Sequence, residues 1–252
     1  MVSQQQLLQA FDSLLQPERF KDYGPNGLQV EGKQEVRRIV SGVTASRALI
    51  EAAIAERADA VFVHHGLFWR GQDGRVTGWM KHRLALLLAH DISLFAYHLP
   101  LDAHPELGNN AQLGRKLGLD GSGCFGEQNL GWLGQRADGA SFASGLELEI
   151  HLKNVLNRPI ARVDGCSGAI KNIAWCTGGA QGYFEAAIAA GAQAFITGEI
   201  SEPQAHYARE CGVSFFACGH HASERYGAPA VAGHVANQLG LEHLFIEIDN
   251  PA

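Results

Sequence analysis

The 252-residue chain has no apolar stretch long enough to span a bilayer. Its opening, Met1-Val-Ser-Gln-Gln-Gln-Leu-Leu8, has neither the basic nor the apolar region of a secretory leader, so a cytoplasmic protein with no membrane partner is expected. Charge is sparse at 18%, and the net value of −6 argues against a broad nucleic-acid surface. The five cysteines (124, 166, 176, 211 and 218) are odd in number and include no Cys-x-x-Cys. That excludes a disulfide framework or zinc ribbon and fits a reducing compartment. A Walker-type phosphate loop and a Ser–His–Asp elbow are both missing, which leaves little support for a nucleotide-cofactor enzyme. A 46% hydrophobic content still provides for a sizeable core, in one large domain or two ordinary ones.

Histidine is plentiful, with twelve in all. Two of them end the run Ala60-Val-Phe-Val-His-His-Gly66, which has the length and composition of a buried strand. Successive strand residues face opposite ways, so His64 and His65 are expected to share a site only if the strand stops before them. Carboxyl ends of strands are where α/β sheets bind ligands.

In chain order, Ser3 to Leu15 has helical apolar spacing with Ser3 as cap. The turn Asp22-Tyr-Gly-Pro-Asn-Gly27 follows, leading into an edge strand at Leu28 to Val30. A strand at 38–43, a helix at 45–57 capped by Thr44, and the histidine strand give β-α-β order and an α/β class. A glycine-rich loop from Trp69, a helix at 80–89 and a strand at 92–97 come next, the last ending on His98.

Part of this order recurs. Residues 49–63 resemble 183–197 at an offset of 134, with Glu51 matching Glu185 and Ala58 matching Ala192. Residues 92–96 then match 213–217, and Leu117-Gly-Leu119 matches Leu239-Gly-Leu241 at an offset of 122. The difference of 134 − 122 is a dozen extra residues in the Trp69–Trp79 loop. Two related α/β units are expected, roughly 36–125 and 170–250, with domains of 1–125 and 126–252 and an added segment at 126–169. Gly121-Ser-Gly123 reads as a flexible flank of that segment.

The repeat sharpens the histidines. His98 falls on His220, and Asp102 on Glu224. If both stretches are helical, each His-x-x-x-carboxylate shares a face and suits metal ligation; if His98-Leu-Pro100 is extended, Pro100 spoils the first pair. Imidazole with carboxylate suits first-row ions better than magnesium or calcium, and so many donors suit a pair of metals about 3.5–4 Å apart. Cys218, beside this group, reads as a buried thiol.

Residues 22–30, Val63-His-His-Gly66, Tyr97-His-Leu-Pro-Leu-Asp102 through Asn110, Trp175-Cys-Thr-Gly-Gly179, Ile196-Thr-Gly-Glu199 and Gly219-His-His-Ala-Ser-Glu224-Arg resemble the GTP cyclohydrolase 1 type 2 homolog family, also called Nif-three-like. The resemblance runs nearly end to end. It implies two related α/β domains with a dinuclear metal site between them, and a ring-shaped homohexamer. Carried over, the ligands are His64, His65, Asp102, His220 and Glu224. Glu224 bridges two divalent ions (iron, manganese, zinc or nickel), with His65 and Asp102 on one and His64 and His220 on the other. His98 becomes an acid–base or supporting group, His221 and His104 weaker supporting candidates, and Glu199 and Asn26 lining residues. The other six histidines (82, 90, 151, 206, 234 and 243) are expected on the surface or in the core. Two functions follow: a metal-dependent hydrolase of a nucleotide-like small molecule, with ring opening of GTP suggested by the family name, or a non-enzymatic protein that stores, delivers or senses metal. A purely structural metal is not needed by a chain of this length.

Overall fold

A computed structural model describes residues 1–252, which form two compact units, 1–108 with 225–249 and 109–224 with 250–252. No helix is long and apolar enough to cross a membrane. All five cysteines are free thiols.

The first unit opens with β1 (Val2–Ser3) and α1 (Gln4–Leu15). Ser3 accepts from the Gln6 amide while the Gln6 side chain accepts from Ser3 N–H, a reciprocal cap that satisfies two otherwise orphaned donors. β2 (Gly27–Val30), β3 (Glu35–Val36), β4 (Arg38–Thr44), α2 (Arg47–Ala55), β5 (Ala60–His65), α3 (Gly78–Ala89), β6 (Ser93–Ala96) and α4 (Leu99–Ala103) follow. The cap of α2 is Ser46, whose hydroxyl accepts from Leu49 N–H, and not the expected Thr44, which is still the last residue of β4.

In β5, Ala60 and Phe62 join a core with Phe11, Phe95 and Val231, while Val61 and Val63 join a second core with Leu49, Ile50 and Leu87. Both faces of the sheet are therefore covered, which is why its strands are almost uninterruptedly apolar.

Asp59, just before β5, ties down that end of the sheet. Its carboxylate accepts from the amides of Arg37 (2.6 Å) and Arg38 (3.0 Å) and pairs with Lys33. Burial alone would raise its pKa, but Lys33 and the two amides outweigh it and hold the group below the usual carboxylate range. A depressed folded-state pKa means stability that is complete above the unfolded value and lost as pH falls through the folded one. Asp59→Ala is expected to cost about 2–3 kcal/mol at pH 7, shrinking as acid protonates the wild-type carboxylate. Urea unfolding of both proteins between pH 7 and pH 3 checks this; a cost that stays constant in acid counts against it.

The second unit begins with α5 (Asn109–Leu117), β7 (Leu119–Phe125), β8 (Gly131–Arg136), α6 (Gly145–Leu156) and β9 (Ala161–Val163). β10 (Ile173–Trp175), α7 (Phe184–Ala189), β11 (Ala194–Thr197), α8 (Glu202–Cys211), β12 (Ser214–Ala217) and α9 (His220–Glu224) complete it. Its sheet order is β7-β8-β10-β11-β12-β9, with β10, β11 and β12 parallel. Gly121-Ser-Gly123 lies within β7, paired to β8 across a register shift, so these glycines mark a bulge and not a flexible flank.

The chain then returns to the first unit with α10 (Gly227–Leu239) and β13 (Glu242–Phe245). β13 pairs parallel to β4, Glu242 opposite Arg38, giving the order β13-β4-β5-β6-β2 with only β2 antiparallel. The chain is thus mixed α/β, with the sequence repeat visible as β4-α2-β5-α3-β6-α4-α5-β7 and β10-α7-β11-α8-β12-α9-α10-β13. The units do not part at 125/126. Each repeat gives its last helix and strand to the unit built mainly from the other, α5–β7 to the second and α10–β13 to the first. The cause is strand pairing: β13 extends the β4 edge, and β7 pairs with β8 of the added segment.

Candidate metal centre

In the first unit β4, β5 and β6 are parallel, and the chemistry collects at their carboxyl ends. β5 does not stop before its histidines; His65 still sits opposite Thr44, and its carbonyl accepts from Ala45 N–H. The two rings converge nonetheless, with centroids 4.4 Å apart. Each is tied to a different neighbouring strand end: His64 Nδ1 donates to the Tyr97 carbonyl (3.1 Å), and His65 Nδ1 bonds the Thr44 hydroxyl (3.3 Å). A carbonyl only accepts, so neutral His64 carries its proton on Nδ1, and Nε2 is then the ring nitrogen whose lone pair could ligate a metal. That Nε2 lies 3.5 Å from Asp102 Oδ1.

His98 follows β6 and is the N-cap of α4. Pro100 lies in the first turn, where its missing N–H breaks no bond, so it does not spoil the helix. His98 and Asp102 still do not pair. The His98 ring turns to Asp22 (Nδ1–Oδ1 2.7 Å), while Asp102 turns to His64. Asp22 is deprotonated more readily than an ordinary aspartate: burial opposes this, but the His98 bond and charge, with bonds from Asn26 and Leu99, prevail. Ligand atoms of His64, His65 and His98 all lie within 4.8 Å of one another, a cluster whose donors suit a first-row metal ion. A cleft of about 10 Å³, the room of about one water, is walled here by His64, Phe68, Trp69 and His98.

In the second unit the equivalent strand end is followed by Gly219 at φ +95° and then α9. Here the helical pair does form: His220 Nε2 is 3.1 Å from Glu224 Oε2, and Nδ1 is 2.6 Å from Glu199 Oε1. Glu224 foremost, together with Glu199, raises the His220 pKa to about 9 against the opposing effect of burial. A metal at Nε2 would replace that proton, with Glu224 beside it as a second donor.

Residues 175–179 and 196–199 frame this pair. Gly178 N–H donates to the Ser223 hydroxyl (2.9 Å), its carbonyl accepts from Gly198 N–H (2.9 Å), and a Cβ on it would strike the Glu224 carboxylate. Cys218 is fully buried with its thiol pushed up to about 12, unfit as a nucleophile. His104 has a local role: its Nδ1 accepts from the amides of Glu106 and Leu107. His221 is buried on α9.

The residues the sequence missed are Asp22, Gly178 and Ser223. All three lie in the quoted stretches, but nothing local showed what they touch.

The family described as Duf34/NIF3 (NGG1p interacting factor 3) matches residues 2–251. The chain belongs to the DUF34/NIF3 family. Within that family it is 51% identical over 253 residues to the GTP cyclohydrolase 1 type 2 homolog of Allochromatium vinosum, covering 100% of this chain and 98% of that one. Among solved structures it resembles protein ybgI, titled as of unknown function (TM-score 0.95, 44% identity, 100% of both chains). TTHA1606 from Thermus thermophilus is also similar (TM-score 0.89, 30% identity, 100% of both chains).

Proposed function

We propose that this DUF34/NIF3 protein is a metal-dependent hydrolase of a nucleotide-like small molecule, with His64, His65, Asp102, His220 and Glu224 holding two divalent ions and His98 acting as the acid–base group. The observation that carries the reading is the convergence of three imidazoles beside Asp102 at the end of β5. The His220–Glu224 pair at the matching point of the repeat supports it. Bound ions would polarise an electrophilic carbon or phosphorus and make water a better nucleophile. His98 accepts a proton at Nε2 from the attacking water, keeps its Nδ1–H donated to Asp22, and returns the Nε2 proton to the leaving group. The name borne by the Allochromatium protein points to GTP as the first substrate to try.

Metal-loaded protein is expected to turn over a member of a panel of GTP, oxidised purine nucleotides and phosphoesters. His98→Ala should lower kcat roughly 10²–10⁴-fold with metal content unchanged. No turnover across the panel, alongside reversible metal exchange, would replace the hydrolase with a metal-handling protein. Self-association into a hexamer belongs to the same reading. It is supported by α3, whose Trp79 and Leu88 are exposed although the helix also buries Met80 and Leu87; light scattering from a monomer would exclude it.

A further inference from the structure

We propose that Asp22 is a positioning residue that holds His98 in one tautomer and one orientation, with the proton on Nδ1 and Nε2 presented to the substrate. This rests on the reading of His98 as an acid–base group and gives a purpose to the Asp22–Gly27 turn.

The geometry is specific. The Asp22 side chain is 4% exposed and that of His98 19%, so the carboxylate is sealed in while the ring keeps an open edge. Asp22 Oδ1 accepts from His98 Nδ1 (2.7 Å) and from Tyr23 N–H (2.6 Å). Oδ2 accepts from Asn26 Nδ2 (2.9 Å) and Leu99 N–H (2.9 Å). An ionised carboxylate surrounded by N–H donors has no proton to give, so Nδ1 must be the donor. Asn26 completes the clamp, its Oδ1 accepting from the His98 backbone N–H at 2.7 Å. One short turn therefore grips the ring through Asp22 and the backbone through Asn26.

Aromatic contacts limit ring rotation. Trp69 meets His98 edge-on, with centroids 5.0 Å apart at 90°. Its loop is fastened to the same turn, Arg70 N–H donating to the Tyr23 carbonyl (2.6 Å) and the Arg70 guanidinium to the Asp22 carbonyl (2.7 Å). Gly24 is part of this fit, because a Cβ there would strike the Phe68 carbonyl. The loop residues that the second repeat lacks thus include the one that braces His98.

The test uses the full chain, zinc-loaded and labelled with nitrogen-15. Read at a pH where the ring is uncharged, the ring nitrogen shifts of His98 should report a single tautomer protonated on Nδ1, with no zinc on Nε2. In Asp22→Asn, an amide that can offer Nδ2–H to the ring, the tautomers should mix. Metal content should stay at the wild-type level, and kcat on a substrate found by the panel should fall roughly 10²–10⁴-fold with little change in KM. Wild-type His98 protonated on Nε2, an Asp22→Asn ring identical to wild type, or a zinc-shifted Nε2 with metal lost from Asp22→Asn would each overturn the proposal. The wild-type spectrum alone decides the tautomer should the variant fold poorly. A silent substrate panel sinks the hydrolase reading without touching the tautomer result.

Discussion

Replacing Glu224 by alanine leaves a folded chain that no longer retains metal. Glu224 is 2% exposed and shares α9 with His220, whose ring also contacts a second carboxylate, Glu199. In the metal-free protein the substitution removes one of two carboxylates flanking His220, and it also relieves the burial of a charge. These effects oppose each other, so the metal-free variant should lie within about 1–2 kcal/mol of metal-free wild type, a few degrees in Tm for a chain this size. On the proposed ligand set, nothing in the loaded protein offsets the loss of Glu224 as a donor. Wild type gains stability from bound metal by mass action and the variant gains none. Elemental analysis after dialysis against buffer containing metal, paired with thermal unfolding with and without chelator, separates the two consequences. Two ions still bound per chain in the variant would remove Glu224 from the ligand set. An unfolded metal-free variant would make it a structural residue first.

The parts of this site that could be read in the sequence are those whose logic is local. His64 and His65 stood out because an apolar strand ends on them, and His220 with Glu224 because a helix brings positions four apart onto one face. The repeat was legible because helix and strand patterning survives in both copies. What escaped notice depends on contacts distant in sequence. Asp22 meets His98 across 76 positions, and no periodicity encodes that meeting. The symmetry between His98 and His220 misled for the same reason. Each stands at the start of a short helix, but the first ring is captured by the Asp22–Asn26 turn and the second by the carboxylate one helical turn on. The exchange of α5–β7 and α10–β13 was hidden because a repeat records ancestry and not which sheet edge a final strand joins. The glycines of β7 read as a flexible flank because their strand propensity is low, and pairing with β8 overrides it.

Gly178→Ala should damage both stability and metal binding, and a second glycine shows how to separate the causes. Gly178 has φ +72°, where an alanine costs about 1–2 kcal/mol for the backbone alone. Gly191, after α7 in the same unit, has φ +82° but nothing within 4 Å of an added Cβ. Gly191→Ala therefore measures the backbone cost by itself. At Gly178 the added carbon would also run into Glu224 Oε1, with the carboxyl carbon at 2.9 Å and His220 Nε2 at 3.2 Å. Glu224 is held by its own burial and the turn of α9, so either it swings off His220 or the strand end that carries Gly178 shifts. The second motion would break the Gly178–Ser223 bond and the Gly198 bond that seat α9. The expected loss is about 2–4 kcal/mol for Gly178→Ala against about 1–2 kcal/mol for Gly191→Ala, from the backbone cost plus an overpacking cost of similar size. Only the first should lose metal. Denaturant unfolding of the metal-free forms gives the energies, and metal content gives the site. Equal costs with metal retained in both would mean that Glu224 has room to move, and that Gly178 serves the chain's turn and not the centre.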